Sequence, residues 1–365
     1  MKSTCLLGLA VVLLLSACGY PDRGNLLERT AGDLGLDDSD TAFDPPAMRF
    51  GTMPFDAWYS PLRPLGPDDL GRHAYVDSEV SGDRGDEVSR GTLYAAEAGF
   101  IDIAHVRNAI DLTRFVFDHV SASFYHGTYE IEMLSAEPDL YHLTLTPPAG
   151  WLNLNQAQEA DPETLAEVRE ASIQIAGRVA YLMTTWHEVL TAYGYKGLGL
   201  VTEEPSAFSY DDAVSHRVGV EAAMDALRLT SNLSEFDDQV TATLYDQLLE
   251  LGALPAEQVV ERAERSQGVF HDGNEPLLRV IDLGLDDQPL VAHLIDEGLE
   301  PRRWYWDSRT EVGRHRVSDL FQIEIELKSA EADAILAAVG KEDGRIVPRE
   351  DFGPLMNELT RGEGF

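Results

Sequence analysis

Asp102 and His105 stand three residues apart in the run Gly99-Phe100-Ile101-Asp102-Ile103-Ala104-His105-Val106-Arg107-Asn108-Ala109-Ile110-Asp111, whose apolar positions otherwise recur at helical spacing. A carboxylate beside an imidazole is the pairing from which base–orienter dyads and metal shells are built. On a helical wheel Asp102 points into the middle of the apolar face, with His105 at its flank. Three chemistries fit the pair: a hydrogen-bonded structural unit, ligation or support of a metal, or a base and its orienter in a hydrolytic site. Arg107 and Asp111, spaced i,i+4 on the outer side, predict a surface salt bridge. Further on, Thr184, His187, Glu188 and Thr191 form a polar strip beside an apolar helix face. His-Glu invites comparison with the zinc motif in which two histidines at i and i+4 bind the ion and the glutamate acts as base. Residue 191 is threonine, so a zinc site at His187 would need His105, or a carboxylate such as Glu204, to complete its shell.

The catalytic expectation follows from these groups. Asp102 orients His105, a divalent metal such as zinc is held by His105, His187 and Glu204, and Glu188 is the general base for water. Arg107, Thr191 and His216 are the expected binding groups; His216 follows Glu203-Glu204-Pro205-Ser206. In a non-catalytic alternative the same groups form a buried polar network that fixes how two helices pack, in a structural or partner-binding protein. The residues leave open whether the protein is an enzyme.

The elements that must carry these side chains are mostly helices. A helical pattern runs from Phe100 to about Ser121, with Ile103, Val106, Ile110, Val116, Phe117 and Val120 on one face. A hairpin is expected at Tyr129–Met133 and Leu140–Leu145. Asp161-Pro162 opens a long helix reaching Tyr193, stopped by Gly194. Further helices are expected from the Ser209-Tyr210-Asp211-Asp212 cap to Leu227, from about Glu235 to Leu251, from Pro255, and from Ser329 to Gly340. Phe321–Leu327 alternates as a half-exposed strand. The expected class is mainly α (α+β): a helical core with a small β-hairpin and a few C-terminal strands. No Gly-rich phosphate loop and no Gly-x-Ser-x-Gly elbow is present.

The 365-residue chain carries 28 Lys+Arg against 64 Asp+Glu, a net charge of −36. Such a surface repels nucleic-acid backbones and anionic head groups, so no nucleic-acid partner is expected and membrane attachment needs a covalent or inserted anchor. The amino terminus supplies one. Met1-Lys2 and the apolar run Cys5–Leu15 fit a secretory signal, and Leu15-Ser16-Ala17-Cys18 resembles the lipobox of bacterial lipoproteins. That resemblance implies cleavage before Cys18, acylation of its thiol and a place in the bacterial cell envelope, facing the periplasm or on the outer membrane. Loss of Cys5 and acylation of Cys18 would leave no cysteine for a disulfide, a nucleophile or a thiolate ligand. The expected organisation is a signal peptide over residues 1–17, a tether over 18–45, and a single mainly helical domain over 46–365. The expected partner is the membrane, through the lipid on Cys18; the expected substrate of a hydrolase placed there is an envelope component.

Gly99–Arg107, Trp186-His187-Glu188 and Glu204–Asp212 together resemble the landmarks of domain of unknown function 4056, an uncharacterised bacterial family whose members are often envelope lipoproteins. The resemblance spans roughly residues 90–310 and supports grouping His105, His187, Glu188 and Glu204. Two positions depart from the family's pattern. Met48-Arg49-Phe50-Gly51 stands where cysteines occur, and His216 stands where an asparagine is usual.

Overall fold

The computed structural model describes residues 45–49, 51–55, 61–75, 86–151, 161–196, 206–285 and 288–361. Cys18 and Glu204 lie outside them, as do the expected signal peptide and nearly all of the tether. Among the described residues no helix is long and apolar enough to cross a membrane.

The class is mainly α with small antiparallel sheets, as expected. Strand β1 (Thr92–Ala95) pairs with β2 (Gly99–Asp102), which feeds directly into α1 (Ile103–His126). The helix therefore starts three residues later than the apolar pattern predicts. Gly99 explains why: its φ of 71° suits the tight β1–β2 connection, and a Cβ there would lie 2.3 Å from the His293 carbonyl oxygen. Asp102 is consequently the N-cap of α1, its side chain accepting from the Ala104 N–H, and not a residue of the helix face. Gly127, at φ 74°, closes the helix.

The hairpin β3 (Glu130–Leu134) and β4 (Leu140–Leu145) is followed by α2 (Pro162–Ala192), with proline in its first turn. Next come α3 (Asp212–Leu229), α4 (Phe236–Glu250) and α5 (Ala256–Ser266). Short ladders pair β5 (Leu290–Val291) with β6 (Arg303–Trp304) and β7 (Glu311–Val312) with β8 (His315–Arg316). Strand β9 (Phe321–Glu326), helix α6 (Ala332–Val339), strand β10 (Arg345–Ile346) and helix α7 (Pro348–Leu359) complete the order. The main sheet runs β10-β9-β4-β3, all antiparallel, with Tyr141 opposite Ile325. Helix α7 has no counterpart in the sequence expectation. Pro354 in its interior hides its pattern, yet Phe352, Leu355 and Met356 are buried, and Phe352 stacks on Trp186 at 6.1 Å.

Helices α1, α2 and α3 pack against one another and form the centre of one apolar cluster that extends from Leu65 to Met356. Two glycines set how close they come. A Cβ on Gly219 would lie 2.2 Å from the Val106 carbonyl oxygen, and one on Gly177 would lie 2.3 Å from Met224 Sδ. Both are the small residues that let backbones approach where helices cross. The α1–α3 crossing at Gly219 brings the first turns of the two helices together.

The far half of α1 makes a prediction about acid. His119 is buried, donates from Nδ1 to the Phe115 carbonyl at 2.9 Å, and is pushed down to about 4 by burial. Its neighbour Asp118, bonded to Arg114, is pushed up to about 6 by burial. A histidine with a depressed folded pKa leaves the unfolded chain holding more protons between the two values, so it removes stability as pH falls from 6.5 towards 4. A carboxyl with a raised pKa does the reverse in nearly the same interval. His119→Phe should therefore raise the melting temperature at pH 4.5 relative to the parent and leave a smaller difference at pH 7.5. An equal shift at both pH values would contradict this assignment.

Candidate metal centre

The β1–β2 hairpin fixes Asp102 and launches α1, placing His105 in its first turn. His216 comes from the first turns of α3 and Glu188 from the second half of α2. One ligand atom from each of His105, Glu188 and His216 falls within 4.8 Å of the others. The two imidazole rings lie 4.9 Å apart, tilted by 52°. Ligands bound to one ion at ~2.0–2.2 Å lie within about 4 Å of one another, so small side-chain rotations close the shell. Glu188 and His216 are buried, and His105 keeps 18% of its side chain exposed.

Several contacts hold these groups in place. Glu188 Oε2 accepts from the Phe208 N–H at 2.9 Å, and Phe208 is the one described non-glycine residue with positive φ, 56°. That strained backbone is fixed by Glu188 on one side and by the Val280 N–H bonding the Phe208 carbonyl on the other. Asp212 Oδ1 sits 3.2 Å from His105 Nδ1, and the Ser209 hydroxyl and N–H hold the same carboxylate. Asp102 accepts from the N–H groups of Ala104 at 2.6 Å and Thr52 at 2.5 Å, while its own N–H donates to Ser215 Oγ. Asp211 bonds the Ser209 hydroxyl.

The electrostatics are unbalanced. Asp102, Glu188, Asp211 and Asp212 are all buried, and among the described residues no lysine or arginine pairs with any of them. Burial and the Asp212 carboxylate push Glu188 up to about 8. Burial, with Asp212 and Asp102 beside it, raises Asp211 well above the usual carboxylate range. For His105 burial works the other way, yet Asp102, Asp212 and Glu188 outweigh it and hold the imidazole well above its ordinary value. Burial keeps His216 well below, with the neighbouring His105 and His187 adding to the effect, which favours the neutral ring, in which one nitrogen carries an available lone pair. His105 Nδ1 is buried and makes no aligned hydrogen bond. Two imidazoles and surplus buried carboxylate are a donor set that a divalent cation satisfies.

His187 faces the same site from another side. Its Nδ1 lies 2.8 Å from Glu137 Oε1, and the Ser135 hydroxyl donates to the other oxygen of Glu137. The β3–β4 turn thus delivers a carboxylate that orients an imidazole; burial opposes ionisation of Glu137, but His187 holds it below its ordinary value. Glu137, His187, His105, His216, Thr184 and Met183 share a cavity of about 20 Å³, room for one water molecule or ion.

The sequence profile of the family described as Protein of unknown function (DUF4056) matches residues 58–279, more than half of the chain. The chain belongs to this family. The DUF4056 match begins before the roughly 90–310 span of the resemblance and ends short of it, and it contains His105, Glu188 and His216. No curated protein and no solved structure matches.

The placement of the expected DUF4056 site residues differs from the sequence reading in several ways. His105 and Glu188 come together, but Glu188 joins the ligand group in place of His187, which is engaged with Glu137. His216, expected as a binding group, is the third member of the group that could hold an ion. Asp102 lies beside His105, while the carboxylate within ion-pair distance of the imidazole is Asp212, which the sequence reading treated only as part of a helix cap. Thr191 is buried, its hydroxyl makes no hydrogen bond, and it does not line the cavity. Arg107 and Asp111 do not form a surface pair. Both are about 1% exposed. Arg107 bonds the carbonyls of Leu70 and Val88 and His73 Nδ1, while Asp111 is held by Arg49 and His73 Nε2. Glu87 completes this second cluster, which also takes in His73.

Proposed function

We propose that this chain is a metal-dependent hydrolase whose divalent ion, zinc being the best match to the donors, is held by His105, Glu188 and His216. The observation that carries the reading is the convergence of two imidazoles and a carboxylate from three helices, surrounded by buried acids without cationic partners. A divalent ion bound there supplies Lewis acidity and acidifies a water molecule. The chain's own groups do the rest. Asp212 fixes the His105 ring from outside the ligand set, as carboxylates do for metal-bound histidines. Glu137 holds His187 so that its ring can take up and return a proton at the cavity wall. The non-catalytic packing network is less well supported. Such a network balances its own charges, whereas Asp102, Glu188, Asp211 and Asp212 are buried here and no lysine or arginine among the described residues pairs with any of them.

The lipobox-like Leu15-Ser16-Ala17-Cys18 adds a location to this proposal: a lipoprotein of a bacterial envelope, anchored through Cys18 and acting on an envelope substrate. The test is metal analysis of the purified full chain alongside three variants. The parent should carry about one zinc per chain after dialysis. His105→Ala and His216→Ala should lose it while keeping a cooperative melt, and Asp212→Asn should weaken affinity by about 10–100-fold. His187→Ala should keep the metal and lose hydrolysis of a panel of ester, amide and phosphodiester substrates. Metal retained in both ligand variants, or none bound by the parent, would sink the reading.

A further inference from the structure

Residues 45–49 and 51–55 run past the candidate metal centre outside any sheet, and their main chain is held by side chains of the body. Asn108 makes two bonds to one residue: its Oδ1 accepts the Arg49 N–H and its Nδ2 donates to the Arg49 carbonyl, both at 2.8 Å. Asp102 Oδ2 accepts the Thr52 N–H. Upstream of Arg49, residues Pro46, Ala47 and Met48 form a wall of the cavity that contains His105, His187 and His216. Downstream, Gly51 lies flat against the site: a Cβ there would stand 3.0 Å from His105 Nε2 and 3.1 Å from Asp102 Oδ2.

One side chain anchors the segment. Arg49 is 4% exposed, bonds Glu87 through Nε at 2.9 Å and Asp111 through Nη1 at 2.5 Å, and reaches the Ala74 carbonyl with Nη2. A two-point grip on the main chain of one residue, with its charged side chain in a complementary pocket, is how an extended peptide is recognised. The pocket walls have partners besides this arginine. Without it, Glu87 keeps the Ala74 N–H, the Ser89 hydroxyl and Arg107 at 3.5 Å, and Asp111 keeps His73 Nε2. The pocket walls lie within the family match, and the segment that fills it lies before the first matched residue.

We infer that Asn108, Asp111 and Glu87 form a recognition site for an extended, arginine-bearing polypeptide beside the metal centre, and that the chain's own Arg49, with residues 46–48 and 51–52 on either side of it, fills it in cis. The substrate of the proposed hydrolase is then a polypeptide strand that takes the place of this segment; only that last step rests on the metal reading.

The experiment uses the full chain and a fluorescent peptide of its residues Pro45–Met53. Arg49→Ala empties the pocket at some cost in stability, and the folded variant should bind the peptide at least tenfold more tightly than the parent, whose site is filled. A peptide carrying the same Arg49→Ala change should show no saturable binding. Gly51→Ala, which crowds His105 and Asp102 and lifts the segment, should also bind more tightly than the parent; it decides the matter if Arg49→Ala loses its cooperative melt. Anisotropy is read with and without chelator, so loss of the metal centre and loss of the peptide site give different outcomes. Equal binding by the parent and both variants, or by both peptides, overturns the inference.

Discussion

Arg107→Ala is expected to destabilise the fold by about 3–5 kcal/mol, the range for removing one partner from a buried ionic cluster. The arginine lies almost wholly inside, with Nε on the Val88 carbonyl, Nη2 on the Leu70 carbonyl and Nη1 on His73 Nδ1. Because Arg107 donates to Nδ1, the His73 ring carries its own proton on Nε2, and that proton reaches Asp111 Oδ1 at 2.9 Å. The truncation would leave the Val88 carbonyl without this donor, free His73 to lose its tautomer, and take one of two arginines from a cluster that also holds Glu87 and Asp111. A void the size of the guanidinium adds to the loss. Chemical denaturation of parent and variant at neutral pH measures the effect. A change below about 1 kcal/mol, the most that an exposed pair is worth, would return Arg107 to the surface role its spacing suggests. Folded Arg107→Ala should bind the metal as the parent does, since none of its contacts reaches His105, Glu188 or His216.

That misplacement shows where sequence reasoning stops. Helical periodicity reports which face of α1 meets the neighbouring helices, and Ile103, Val106, Ile110, Val116 and Phe117 are buried as their spacing demands. It does not report what a loop lays over the opposite face. Arg107 and Asp111 are on that opposite face, and residues 45–49, 61–75 and 86–90 cover it with Arg49, His73 and Glu87, which have no period to detect. The same limit explains Asp102. Gly99 and the β1–β2 pairing, both local, convert an apparent helix residue into a cap, and a wheel drawn through it is then out of register.

The candidate site was legible only where a polar residue interrupts an apolar helical pattern. His105 and Glu188 stand out as polar groups beside apolar stripes, and both reach the centre. His187 is adjacent in sequence but about 100° around the helix from Glu188, enough to send it to Glu137 in the β3–β4 turn and out of the ligand group. Glu137 and Asp212 could not be chosen from sequence. In a chain with 64 acidic residues an isolated carboxylate carries no signal, and only the fold reveals which of them are buried against histidine. His216 was visible only as a histidine near a helix start. What brings it to His105 and Glu188 is the α1–α3 crossing, which depends on one glycine three residues further along.

Gly219→Val should therefore act on stability and on the metal centre together. Its Cβ would lie 2.2 Å from the Val106 carbonyl oxygen and 2.9 Å from Ala109 Cβ, both on α1 and both on or beside backbone that cannot rotate away. The two helices must separate, and overpacking of this kind costs about 3 kcal/mol, near the upper end of the usual range. The separation also moves His105 and His216, which sit within one turn of the contact on opposite helices. Ligand atoms that now fall within 4.8 Å would spread, while Glu188 on α2 stays where Phe208 holds it. Metal affinity in the folded variant should drop by at least about tenfold, the scale on which loss of ligand orientation is felt. Gly177→Ala provides the contrast. It meets Met224 Sδ, a flexible side-chain atom, at the α2–α3 contact, so it should cost less than Gly219→Val and leave metal binding close to the parent's. If Gly219→Val lowers the melting temperature but binds the ion as tightly as the parent, the crossing holds the fold together without setting the geometry of the centre.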